Sequence, residues 1–163
     1  MTIVASKSNG KPAKLKAADI EVAVARYLNP RQNLIVPNVH WGLNIHECDL
    51  LVITQAGYAW EVEIKVTKAD VVKDKEKRHQ HFDGRIKFLY FAIPKYLESC
   101  ISHIPKRAGI IAVGSDLTCR TLRNPETNAK YKFSDAERYQ VARLGALRIW
   151  GLKEKIKKLT KNQ

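Results

Sequence analysis

Between residues 48 and 70 the sequence runs CDLLVITQAGYAWEVEIKVTKAD, and its second half sets Glu61, Glu63 and Lys65 at strict two-residue spacing. In a β-strand that spacing puts all three on one face, with Trp60, Val62, Ile64 and Val66 on the other. Two carboxylates and an amine on a common face can gather a cation or handle protons. They can equally be a solvated face with a Glu to Lys cross-pair. The surroundings argue for the first reading. The hairpin is followed by "FLYFAIP" and "GIIAVG", short continuous apolar runs of the kind expected for strands buried on both faces. A hairpin beside such strands should be central, and a central strand rarely gives a whole face to water. The charges need a reason.

Register decides which acids meet. Asp49, Leu51 and Ile53 alternate with Leu50, Val52 and Thr54 on the preceding strand. A two-residue loop of Ala56 and Gly57 would turn Asp49 to the opposite face from Glu63. A three-residue loop of Gln55, Ala56 and Gly57, with Gly57 left-handed, places Asp49 opposite Glu63 with Lys65 on the same face. The second register also pairs Leu50 with Val62 and Val52 with Trp60, which keeps the apolar sets together, and it is the one expected. A further acid, Glu21, lies among Ala17, Ala18, Val24, Ala25 and Leu28 on a first helix. A carboxylate in an apolar stripe either finds a cation, a metal or a donor, or escapes to an edge.

The elements that must position these groups follow from local signals. A helix is expected from about Lys14 to Leu28, ending at "NP", then a strand in "NLIVPNVHW" and the quoted hairpin. Thr67 and Asp70 have the spacing of an N-terminal cap for a polar helix running from about Lys68 to Phe82. "KYLESCISHIPKR" can hold a turn or two of helix, and "LTCRTLRN" reads as a last strand. Ser134 and Glu137 form a capping box before a long C-terminal helix, residues 134–160, packed on or extending from the core. The order implies an α/β fold, a central mixed β-sheet flanked by helices on both faces. With 163 residues, one domain is expected. Its first residues, 1–13, are lysine-bearing and read as a flexible basic arm.

The 29 Lys and Arg against 16 Asp and Glu give a net charge of +13, which makes a polyanion the natural partner. No apolar run is long enough to span a bilayer, and "MTIVASKSNGKP" has no secretory core, so no membrane role and an intracellular chain are expected. Cys48, Cys100 and Cys119 are odd in number and widely spaced, against a disulfide framework. The five histidines have no ligand spacing and are assigned no role.

Taken together, Glu21, Asp49 and Glu63-Ile64-Lys65 resemble the pattern of the PD-(D/E)xK nucleases: a helix Glu, an Asp opening the second strand and (D/E)-x-K in the third. Within that superfamily the chain is most similar to the MmcB-like DNA repair family, through "EIKVTKADVVKDK", "LYFAIP" and "GIIAV". The resemblance covers roughly Leu15 to Leu122. The family's aromatic after the A-D-x-x-x-D stretch is absent, Lys77 and Arg78 standing there, and Cys48 replaces the usual Pro before the Asp.

The resemblance implies a restriction-endonuclease-like core and a metal-dependent nuclease that hydrolyses DNA phosphodiester bonds in repair or recombination. Such hydrolysis must bring hydroxide to an anionic phosphorus and stabilise charge on the departing oxygen. Mg²⁺, with Mn²⁺ as substitute, suits both demands and prefers oxygen donors. Asp49 and Glu63 are the expected ligands, with the backbone carbonyl of Ile64. Lys65 would sit beside the attacking water as base or as orienter, and Glu21 would support the ligands or hold a second ion. Glu61 faces the same way but further along the strand.

DNA would be gripped by Lys68, Lys73, Lys75, Lys77 and Arg78, Lys75 either aimed at phosphate or snorkelling. Between residues 68 and 87 seven basic residues against four acids leave +3, and between residues 143 and 161, toward the end of the last helix, seven against one leave +6. A nucleoid-associated cytoplasmic protein is expected, alone, as a homodimer or with a helper subunit. The alternative is a catalytically inactive nuclease-like protein that binds DNA, since binding needs only the positive surface. A more distant third is a basic structural subunit that uses the fold to hold a protein partner.

Overall fold

A computed structural model describes residues 14–39, 44–74 and 81–161 of the protein. The basic arm expected over 1–13, together with Lys75, Lys77 and Arg78, lies outside the described residues. Helix α1 (Ala17–Tyr27) leads to strands β1 (Leu34–Val39), β2 (Cys48–Ile53) and β3 (Ala59–Ile64). A short helix, α2 (Lys68–Lys73), precedes β4 (Ile86–Pro94), a 3₁₀ segment over Lys95–His103, then β5 (Gly109–Val113), β6 (Cys119–Arg123) and the long α3 (Asp135–Lys161). The six strands lie in sequence order in one sheet. β1, β2 and β3 pair antiparallel, β3, β4 and β5 parallel, and β6 closes the edge antiparallel. The chain is therefore an α/β fold with a mixed sheet.

Helix starts follow the capping chemistry. The Thr67 hydroxyl accepts from the Asp70 amide and the Asp70 carboxylate accepts from the Thr67 amide, both at 3.1 Å. Ser134 and Glu137 close the same reciprocal pair at the start of α3. One expected boundary fails. The helix after Thr67 does not continue to Phe82, because His81 adopts φ +57°, a left-handed backbone that no right-handed helix can contain.

Each sheet face is covered. On one, Ile20, Ala23 and Val24 of α1, with Leu28 just beyond it, pack over Leu50, Val52, Val62, Ala92, Ile111 and Val113. On the other, two separate clusters form. Val141 and Leu144 of α3 sit over Val36, Leu51 and Ile53, while Val71, Leu97 and Cys100 sit over Leu89, Phe91, Ile93 and Ile110. Between these clusters runs β3, whose Glu61 pairs with Leu51 on one side and Leu89 on the other. Residues directly opposite one another share a face. The ionisable side of β3 thus fills the seam between two hydrophobic clusters.

The β2–β3 register is the one with a three-residue loop: Leu50 faces Val62 and Val52 faces Trp60. Gly57 has φ +85°, its amide donates to the Thr54 carbonyl at 2.8 Å, and the Thr54 amide donates to the Tyr58 carbonyl at 2.9 Å. A Cβ on Gly57 would lie 3.1 Å from the Phe133 carbonyl oxygen. Gly57→Ala should therefore cost about 1–3 kcal/mol of folding stability. Urea denaturation checks this, and an unchanged midpoint would mean the loop does not require a left-handed residue.

Candidate active site

The hairpin register, continued by one pair beyond Leu50 and Val62, sets Asp49 opposite Glu63 at the end of β3. The Ile64 amide donates to Asp49 Oδ2 at 2.7 Å, which fixes the direction of that carboxylate. Glu21 on α1 is half-buried and close enough to Asp49 to feel its charge. Burial first, and then the Asp49 carboxylate, raise the Glu21 pKa above the ordinary glutamate value.

The solvated-face reading of β3 is excluded by burial: Glu61 is 0% exposed and Glu63 2%. Each has partners. Lys65 Nζ lies 2.7 Å from Glu63 Oε2 and 2.8 Å from Asp74 Oδ1. The other oxygen of Asp74 meets His81 Nε2 at 2.7 Å, and His81 Nδ1 meets Glu61 Oε1 at 2.6 Å. Glu61 Oε2 is in turn 2.6 Å from His46 Nε2, whose other ring nitrogen lies 3.7 Å from Asp83 Oδ2. A continuous chain links Glu63, Lys65, Asp74, His81, Glu61 and His46.

Electrostatics follow from these contacts. Burial alone would push the Lys65 ammonium toward neutrality, but the Glu63 charge and the hydrogen bond to Asp74 outweigh it and hold the pKa above the ordinary lysine value. His81 behaves in the same way. Burial opposes its charge, yet Asp74 and Glu61 together raise it to about 9. Asp74 and Glu61 are both held below the usual carboxylate range, burial being overcome by hydrogen bonds from His81 and Lys65 in the first and from His46 and His81 in the second.

The assigned absence of a role for the histidines is thus corrected for His46 and His81. They approach Glu61 from two different connections, and no regular spacing in the sequence could reveal that convergence. Glu61 also moves inward in importance, since its carboxylate is the node between the two rings. Asp74 was visible only as the second acid of the A-D-x-x-x-D stretch. Of the expected phosphate-gripping residues, Lys68 and Lys73 are exposed on α2.

No family model matches the sequence, and no curated protein matches it. Among solved structures, the chain is similar to the SPO1766 protein of unknown function from Silicibacter pomeroyi, with a TM-score of 0.61 and 16% identity over 92% of this chain and 94% of that one. That likeness concerns the fold alone.

A histidine whose pKa is raised on folding stabilises the native state fully below its unfolded value and loses that contribution as pH rises through the folded value. For His81 the window runs from 6.5 to about 9. In the presence of EDTA, the melting temperature should fall across that window, and His81→Gln should remove most of the slope. Calorimetric melts at half-unit pH intervals check it.

Proposed function

We propose that the protein is a Mg²⁺-dependent nuclease of the PD-(D/E)xK type, acting on DNA through a restriction-endonuclease-like core. One observation carries this reading: the hairpin register that aligns Asp49 with Glu63 and leaves Lys65 two residues further on the same face. The donor set suits a hard cation. Three carboxylates, Glu21, Asp49 and Glu63, come from a helix and two adjacent strands and offer oxygen alone, although they do not form one of the groups whose ligand atoms lie within 4.8 Å of one another among the described residues. When bound, Mg²⁺ supplies Lewis acidity to a phosphoryl oxygen and an acidified water. Mn²⁺ would serve as substitute.

The chain's own residues then have distinct tasks. Asp49 is fixed in direction by the Ile64 amide. Glu63 is fixed by Lys65, and Lys65 by both Glu63 and Asp74. Because Lys65 is kept as an ammonium, its part is to stabilise negative charge at the attacked phosphate and orient the water, not to accept a proton. Lys68 and Lys73 stand exposed on α2 to meet the backbone. The net charge of +13 and the lysine-rich, exposed end of α3 provide the wider attraction for a polyanion. Within this reading the protein works on chromosomal DNA in repair or recombination. No helix among the described residues is long and apolar enough to cross a membrane.

A second reading rests on a specific contact. Lys65 Nζ is already engaged by two buried carboxylates, an arrangement that would also serve a nuclease scaffold retained for DNA binding without turnover. Cleavage assays on single-stranded, duplex and branched DNA with Mg²⁺ or Mn²⁺ separate the two. The nuclease reading expects cleavage by wild type and at least about a hundredfold loss in Asp49→Asn and Lys65→Ala, with the circular dichroism of Asp49→Asn unchanged. Binding by all three proteins with cleavage by none would overturn catalysis in favour of the second reading.

A further inference from the structure

We propose that His46, Glu61 and His81 form a binding site for a divalent transition metal of the zinc class, distinct from the all-oxygen set around Asp49 and Glu63. One ligand atom from each of the three residues falls in a group spanning no more than 4.8 Å. Both histidines address the same carboxylate, His46 through Nε2 and His81 through Nδ1, each at 2.6 Å from a different Glu61 oxygen. Metal to ligand distances of about 2.0–2.2 Å in a tetrahedral site require donor atoms roughly 3.3 Å apart. An ion entering between them would displace the proton each ring shares with Glu61 and push the rings outward from their present separations of 2.6 Å. Two imidazole nitrogens with one carboxylate favour zinc, cobalt or nickel over the oxygen-seeking Mg²⁺ and Ca²⁺.

The outer contacts are those a metal-ligating histidine needs. Its second ring nitrogen is normally held by a carboxylate or carbonyl, which fixes the tautomer and the ring plane. His81 turns Nε2 to Asp74 Oδ2 at 2.7 Å, and His46 turns Nδ1 toward Asp83 Oδ2 at 3.7 Å. So each histidine presents one nitrogen to Glu61 and the other to a different aspartate. The backbone contributes as well, since the left-handed φ of +57° at His81 aims that ring inward from the segment before β4.

A neighbouring group, Glu63, Asp74 and His81, is equally compact, but there the Lys65 ammonium already stands between Glu63 and Asp74. The cation requirement of that group is met by the protein. A cavity of about 490 Å³ bordered by Asp74, His81, Phe91, His103 and Arg107 touches the first group at His81 alone. Three protein ligands leave a fourth position for water or an anionic oxygen.

The test uses the full chain stripped with EDTA and titrated at pH 7 with Zn²⁺ by calorimetry and with Co²⁺ by visible absorption. The expected result is one equivalent of Zn²⁺ that excess Mg²⁺ does not displace, and the absorption of a four- or five-coordinate Co²⁺ centre. His46→Ala and Glu61→Gln should each weaken binding by roughly tenfold or more, while Asp49→Asn should bind Zn²⁺ as wild type does. His46, at the less buried end of the group, keeps the test decisive even if Glu61→Gln does not fold. Failure to bind one equivalent, or His46→Ala binding as tightly as wild type, would overturn the proposal and leave the two rings as proton-bridged partners of Glu61.

Discussion

Two carboxylates buried on a central strand must be satisfied without water, and the architecture of this chain is arranged around that requirement. Removing a carboxylate from water costs several kcal/mol unless charge and hydrogen bonds replace the lost hydration. Glu61 and Glu63 divide the task. Glu63 takes the Lys65 ammonium, and Glu61 takes two imidazoles, one on each oxygen. Replacing Lys65 by an apolar residue would leave two buried acids facing each other, so the lysine is as much a structural ion as a chemical one.

Meeting that demand shapes the backbone nearby. Asp74 must reach both Lys65 and His81, which ties the end of α2 to β3, and the capping box at Thr67 fixes where α2 begins. A helix continued to Phe82 would follow its own axis and carry His81 with it. The observed chain instead leaves α2 after Lys73 and brings His81 back under the sheet in a left-handed conformation. On that face the hydrophobic clusters stand apart, one under α3 and one under α2 and the 3₁₀ segment, and the polar chain occupies the strip between them. Buried polar networks of this kind are stable only when every member is satisfied.

The sequence made part of this legible because period and turn chemistry act locally. Alternation in β3, the three-residue loop with its left-handed Gly57, the Thr67 and Ser134 caps, and the apolar runs of β4 and β5 each depend on a few neighbouring residues. The pairing of Asp49 with Glu63 followed from the loop length and from keeping the apolar pairs of Leu50 with Val62 and Val52 with Trp60 together. His46 and His81 were invisible for the opposite reason. They sit 35 positions apart in connections without periodicity, and their meeting at Glu61 depends on how two separate connections return to the same strand. Even so, a physical signal was available in Glu61 itself. Once the strand is placed in the centre of the sheet, an acid between Leu51 and Leu89 must have partners, and the histidines are the donors closest to it.

Alternation also bears on how many sites one strand can serve. Residues two apart on a strand stand about 6.7 Å apart, and Glu61 and Glu63 turn to different partners, yet one group touches the environments of both. Asp74 is that group, with Oδ1 on Lys65 and Oδ2 on His81. The Glu63 end offers oxygen with an ammonium beside it, and the Glu61 end offers oxygen between two imidazoles. Whatever cation each end takes, a change in the partners of Asp74 at one is felt at the other through a single carboxylate. The two proposed centres are therefore chemically distinct and mechanically joined, and Asp74, which ligates neither, is the residue through which they would be coupled.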